Sequence, residues 1–243
     1  MIRKLLFIAC GAVALNACDK HDPILPGTRT AIFDGASVSV LNRDITDIPQ
    51  AAVIVDNTNC PYSQDKNNVI WHGTRKIFSG FPTSNTVAGN QSPVCSGGYI
   101  YAGLTTGEVV KINPKNRGIV WIADVYRASN LTGGASMVDI VAPVVPVGRY
   151  VYAGGLGDAF CKLDASSGAK KWCADIGVAV PFVMTENYAF VVGVDKKLYA
   201  ISAKNGDVHW SQNVQRAVAP TFSDGVISVG KEQFSVKNGK KLK

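Results

Sequence analysis

An all-β fold of repeated four-stranded antiparallel sheets, set side by side as blades of a propeller, follows from three features of the sequence. These are a composition that favours strands and turns, a pattern that recurs along the chain, and the spacing of prolines and tryptophans. The 243 residues include 24 Gly, only 3 Met and many Val, Ile and Tyr, which disfavours a helical bundle. At 47% hydrophobic and 18% charged, the chain has ordinary globular composition and length for one substantial domain. Four segments open near a proline, at Pro93, Pro143, Pro181 and Pro220, and the first three close at Trp121, Trp172 and Trp210. The proline-to-tryptophan distances are 28, 29 and 29 residues, a period that marks a repeat architecture.

Within each copy the elements come in a fixed order. After the proline and a short turn, an alternating strand ends in glycine: Tyr99–Gly103, Tyr150–Gly154, Tyr188–Gly193 and Val226–Gly230. A third strand follows at Val109–Ile112, Phe160–Leu163, Leu198–Ile201 and Phe234–Val236. A polar turn closed by Gly118, Gly168, Gly206 or Gly239 then leads to the strand that ends in tryptophan. Glycine at the close of each turn supplies the positive φ that hairpin loops need. A single meander cannot bury both faces, so copies must pack around an axis or stack in an arc. The recurring tryptophans are large enough to fill the wedges between copies, a structural role.

The fourth copy stops at Lys243, where its tryptophan strand should be, and an unpartnered strand of that kind, Asn68–Trp71, lies early in the chain. We therefore expect residues near Trp71 to pair with the C-terminal segment and close a ring of about four blades. The linkers from each tryptophan to the next proline are 22, 22, 9 and 10 residues long. The two long ones exceed what a tight connection needs, and surplus loops on a rigid scaffold are where binding usually resides.

The N-terminus reads as a lipoprotein signal over 1–17: basic Arg3 and Lys4, an uncharged and mostly apolar run from Leu5 to Ala17, then Cys18. Thirteen residues are too few to span a bilayer as a helix. Cys18 after a small residue resembles a bacterial lipobox, which implies a lipidated thiol and a mature N-terminus at residue 18. Residues 18–50 then form a tether and extended segment, and 51–243 the repeat domain. The formal net charge of +7 falls to +5 without Arg3 and Lys4. With basic residues scattered singly or in pairs, this is no nucleic-acid footprint.

Cys60, Cys95, Cys161 and Cys173 remain after Cys10 and Cys18 are set aside, and an even number in an exported chain allows two disulfides. Counting outwards from the turn at Ser166–Gly168 places Cys161 opposite Cys173 on adjacent strands. A one-residue change of turn register would instead leave them as two free thiols on opposite faces. Whether Cys60 pairs with Cys95 stays open at this level. His21, His72 and His209 are isolated, and no C-x-x-C spacing supports a metal.

Leu163-Asp164-Ala165-Ser166-Ser167-Gly168-Ala169-Lys170-Lys171-Trp172 resembles the PQQ-like propeller repeat. Joined to a lipobox, the chain is similar to the BamB family of outer-membrane β-barrel assembly lipoproteins over about residues 25–243, including Leu25–Arg29. Members have eight blades, and this chain has length for about five at most. The resemblance implies a non-enzymatic scaffold on the periplasmic face of the outer membrane, although Asp19 resembles an inner-membrane retention signal. It implies partners in the barrel-forming subunit of the assembly machinery and in nascent outer-membrane proteins, with no cofactor. It further implies that a loop carrying Asp139 contacts that subunit; where the family pairs this acid with a second one, the chain has Met137.

Two other classes compete with the scaffold reading. One is a periplasmic ligand-binding propeller, and the other is a quinoprotein-type oxidoreductase, whose calcium site and adjacent cysteine pair have no counterpart in the sequence. No Ser/His/Asp or G-x-S-x-G constellation occurs. Gly154-Gly155-Leu156-Gly157 reads as a hairpin turn and not as a phosphate loop, because a sister copy has Gly103 to Gly107 at that place.

Overall fold

Eighteen short strands form five separate antiparallel sheets in a computed structural model that describes residues 38–55, 57–83, 92–126 and 137–242. Residues 1–17, read above as a signal, and Cys18, Asp19 and Leu25–Arg29 lie outside the described residues. The first sheet holds β1 (Tyr62–Gln64), β2 (Val69–His72) and β3 (Arg75–Ser79). The second holds β4 (Val94–Ser96), β5 (Tyr99–Gly103), β6 (Glu108–Asn113) and β7 (Gly118–Asp124). The third holds β8 (Val145–Val147), β9 (Tyr150–Gly155), β10 (Ala159–Asp164) and β11 (Lys170–Ala174). The fourth holds β12 (Val183–Met184), β13 (Tyr188–Val192), β14 (Lys197–Ser202) and β15 (Val208–Asn213). The fifth holds β16 (Pro220–Ser223), β17 (Val226–Val229) and β18 (Glu232–Ser235). Strand order follows chain order within every sheet, as a meander requires.

Four apolar clusters fill the spaces between consecutive sheets. In β10, Cys161 and Leu163 face the second sheet while Phe160 faces the fourth, so the strand is buried on both sides and reads as an apolar run. Burying each such large side chain contributes about 1.5–3 kcal/mol. The tryptophans lock consecutive sheets. Trp121, Trp172 and Trp210 each donate their indole N–H to a carbonyl of the next sheet, at Ala165 (3.1 Å), Ala203 (3.4 Å) and Val236 (3.0 Å). Each ring lies on the glycine of that same turn, where a Cβ at Gly168 or Gly206 would come within 2.8 Å of the indole. Those glycines also hold φ of +74° and +82°, so two independent constraints select glycine there.

The first sheet corrects the reading of Trp71. It lies in β2, paired with Ser63 and Lys76 of its own sheet, and its indole N–H donates to the Asp65 carboxylate at 3.0 Å. Just before the bulge in the last hairpin of each blade, Lys111 pairs with Trp121, Lys162 with Trp172 and Ala200 with Trp210. In the first sheet that register pairs Ile70 with Phe78. Phe78 thus stands in the tryptophan position, in a hairpin two residues shorter. The place Trp71 was expected to fill is taken by the chain's own end: Ser235 N–H donates to Lys240 O (2.9 Å) and Leu242 N–H to Gln233 O (2.8 Å). Five sheets result where about four were expected.

Residues 38–50, expected as a tether, lie against the fourth and fifth sheets. Leu41 N–H donates to Val208 O (2.9 Å), Arg43 N–H to His209 O (2.9 Å) and Ile45 N–H to Lys237 O (2.7 Å), and Ile45 is fully buried between those sheets. This apolar side chain and its backbone bonds offset the ordering of an irregular segment. Cys60 and Cys95 form a disulfide that joins the approach to the first sheet to β4 of the second. Asn57 reinforces the seam, donating to Pro93 O and accepting from Cys95 N–H, both at 3.0 Å. Cys161 and Cys173 are cross-strand partners in a disulfide within the third sheet.

Candidate partner surface at the linker end of the blades

A meander places the hairpin between its second and third strands at the same end as the linker to the next blade. At this end lie the hairpins 104–107, 156–158 and 193–196 and the described parts of the two long linkers, 80–83 with 92–93 and 125–126 with 137–144. The second linker is fastened across two hairpins: Ile140 N–H donates to Leu104 O (3.1 Å) and Leu156 N–H to Asp139 O (2.9 Å). Its crossing explains the glycine cluster. A Cβ on Gly155 would sit 2.7 Å from Asp139 O, so this glycine marks close approach of backbone. Gly154 and Gly155 are strand residues of β9; the turn itself falls on 156–158, with Asp158 at φ +51°. That corrects the hairpin-turn reading of the first two glycines.

Asp139 and Met137 point to different environments. Asp139 is 2% exposed and Met137 is 55% exposed, with Val138 and Ile140 buried between and beside them. An acid two residues from an exposed methionine is therefore part of the linker's anchorage, and Met137 is the side chain of the two that faces outward.

The first linker is anchored differently. Asn68, fully buried at φ +61°, donates to Phe81 O and to Thr105 Oγ1 (both 2.7 Å) and accepts from Thr105 N–H (2.9 Å). Thr83 and Thr105 hydroxyls share a further bond at 2.7 Å. Phe81 itself is 79% exposed, and Val194, on the 193–196 hairpin, is 45% exposed. Hydrogen-bonded backbone thus presents apolar side chains at Phe81, Met137 and Val194 on one end of the blades. Sequence reading missed Phe81 and Val194, because the anchoring that turns them outward comes from residues distant in the chain.

The opposite end has a cleft of about 340 Å³ between the second and third blades, lined by Tyr99, Tyr101, Lys111, Arg149, Asp164 and Ser166. Its lysine is already engaged. Lys111 Nζ donates to Ala165 O (2.6 Å), the carbonyl that also accepts from Trp121, and stands 4.0 Å from the centre of the Tyr99 ring. Lys162 repeats this one blade on, with Ala203 O at 2.7 Å and the Tyr150 ring at 3.8 Å. Burial lowers the pKa of both lysines, partly offset at Lys111 by Asp164. Burial also pushes Tyr152 up to about 12. Hydrogen bonds from Ser166 and Ser167 hold the Asp164 carboxylate well below its usual range. Lys111 and Lys162, each bonded to a carbonyl of the following blade, are parts of the joints between blades. Among the described residues no group of three His, Cys, Asp or Glu side chains could hold a metal.

The family model for outer membrane protein assembly factor BamB matches residues 33–212 and 162–242. The chain belongs to this family. BamB of Moranella endobia is 24% identical over 147 residues, 59% of this chain and 38% of that protein. BamB of Alkalilimnicola ehrlichii is 24% identical over 151 residues, 61% of this chain and 39% of that protein. The chain therefore spans under two-fifths of the length of these curated relatives. The crystal structure of BamB from Moraxella catarrhalis matches with a TM-score of 0.50 at 13% identity, covering 79% of this chain and 65% of that one. That likeness supports the PQQ-like propeller fold, with its blades of three or four strands. No helix among the described residues is long and apolar enough to cross a membrane.

Proposed function

We propose that the chain is a non-enzymatic scaffold lipoprotein of the outer-membrane β-barrel assembly machinery. Cys18 carries the lipid, and the protein faces the periplasm. The barrel-forming subunit is bound through the linker end, with Met137 as the outward contact and Asp139 as the buried residue that shapes the linker. Family membership supports the role. The observation that carries the site is the second long linker, bonded down at Ile140 and Asp139 while Met137 stays exposed. Methionine suits such a surface because its flexible thioether adapts to irregular apolar pockets. A scaffold of this kind assists insertion of outer-membrane proteins by holding partners and takes no cofactor.

Binding of the purified chain to the barrel-forming subunit tests the site. Met137→Arg should weaken binding by about 2 kcal/mol, roughly 30-fold, if it sits at the centre of the contact. Unchanged affinity would remove this linker from the interface. The ligand-binding alternative rests on the cleft at the other end, and a small molecule co-purifying with the chain would favour it.

A further inference from the structure

The segment 38–53 supplies, within the chain, a template for what the cleft between the second and third blades can hold. It covers the next joint along. Val38, Val40 and Val53 pack on the apolar cluster between the third and fourth blades, and Val53 N–H donates to Met184 O at 2.7 Å. Asp47, on the same segment, accepts a hydrogen bond from the Asn187 side chain in the turn between β12 and β13. An aliphatic contact and a bonded carboxylate thus hold a stretch of irregular chain on this end of the fourth blade.

The third blade repeats the parts of that seat. Pro146 pairs with Val151 as Met184 pairs with Ala189, which puts Arg149 at the repeat position of Asn187. The two turns share their backbone anchorage: Ala165 N–H donates to Arg149 O at 2.9 Å, and Ala203 N–H donates to Asn187 O at 2.8 Å. The walls correspond as well, because the Lys111 ammonium lies 4.0 Å from the centre of the Tyr99 ring and that of Lys162 lies 3.8 Å from the centre of the Tyr150 ring. Arg149, Tyr99, Lys111 and Pro146 all line the cleft of about 340 Å³. Exposed Arg149 brings a positive charge where the fourth blade has a neutral amide. Asp164, the carboxylate in the lining, is bonded to Ser166 and Ser167 N–H and stands 3.4 Å from Lys171. We propose that this cleft binds an acidic segment of a partner protein, with an Asp or Glu carboxylate on Arg149 and an aliphatic side chain against Tyr99 and Pro146. A guanidinium holds a carboxylate more strongly than an amide does, so the third blade can take from another chain what the fourth takes from its own. The site lies at the end opposite Met137 and does not depend on the function proposed above.

Fluorescence anisotropy of a labelled peptide that copies residues 45–55, titrated with the intact chain, tests the site. The chain's own copy of this segment already lies on the fourth blade, so the added peptide reports on the third. The expected result is saturable binding that Arg149→Glu weakens by about tenfold or more. A peptide carrying Asp47→Lys should recover binding to the Arg149→Glu chain, which also shows that this variant is folded. Absence of binding to the unaltered chain would overturn the proposal. So would binding that responds to Asn187→Lys and not to Arg149→Glu, because the peptide would then be displacing the chain's own segment.

Discussion

The joints on either side of the third blade contain a buried lysine, whereas the joint between the fourth and fifth blades has an alanine in its place. Lys111 and Lys162 are 6% and 7% exposed, and each shares its acceptor carbonyl with the tryptophan of its own blade. At the same register the fourth blade has Ala200 between Phe190 and Trp210, where the third has Lys162 between Tyr152 and Trp172. The ring pairs Tyr152–Trp172 and Phe190–Trp210 nevertheless keep the same centroid separation of 6.1 Å. Tryptophan on glycine is therefore the shared element of the joint, and lysine is an addition that brings its own desolvation cost.

If that is right, removing the tryptophan should have the largest effect. Trp210 is 3% exposed, and Trp210→Ala should cost about 3–5 kcal/mol. Trp172 is only half-buried, so Trp172→Ala should fall at the lower end of that range. Urea unfolding checks both. An unchanged midpoint for either would show that the tryptophans do not hold the blades.

The lysine should matter less. Lys162→Met keeps the stem, removes a buried charge and leaves Ala203 O with the Trp172 indole as donor, so it should cost less than about 1.5 kcal/mol. A loss equal to that of Trp210→Ala would make the lysine the principal fastening and reverse the comparison.

The smallest effect concerns acid, and it distinguishes the turns that receive the tryptophans. The turn after β10 is capped by Asp164, whose carboxylate accepts from Ser166 and Ser167 N–H, while the corresponding turns are capped by neutral Asn113 and Ser202. Those bonds hold Asp164 below its ordinary value of 3.8 in the folded chain. The unfolded chain then binds more protons in that window, so the stabilisation is present above about pH 4 and is lost as pH falls below it. Asp164→Asn, which copies the second blade, should flatten the melting-temperature profile on the acid side. A profile unchanged by the substitution would place acid sensitivity elsewhere, with Asp65 and Glu232 the other carboxylates held low by hydrogen bonds.

Local signals made the repeat legible. Proline, glycine and tryptophan recur within single blades, and the opposition of Cys161 to Cys173 follows from counting across one turn. The first blade was obscured because Phe78 replaces tryptophan and its last hairpin is shorter, so a match by residue type lands on Trp71. The packing of 38–53 was hidden because its partners, Val208, His209, Lys237 and Met184, lie far along the chain. Burial of Asp139 was hidden for a similar reason: a charged residue in a long linker reads as solvated until Gly155 is known to lie beneath it. The pairing of Cys60 with Cys95 likewise depends on how the first blade meets the second.

The role proposed for the chain is that of a lipid-anchored scaffold in barrel assembly. Purification of the full-length chain from membranes, with identification of what accompanies it and of the mass of residue 18, tests this most directly. The account predicts acylated Cys18 and co-purifying barrel-assembly subunits, lost on Met137→Arg while the chain stays folded. An unmodified residue 18 together with a preparation free of those subunits would contradict it.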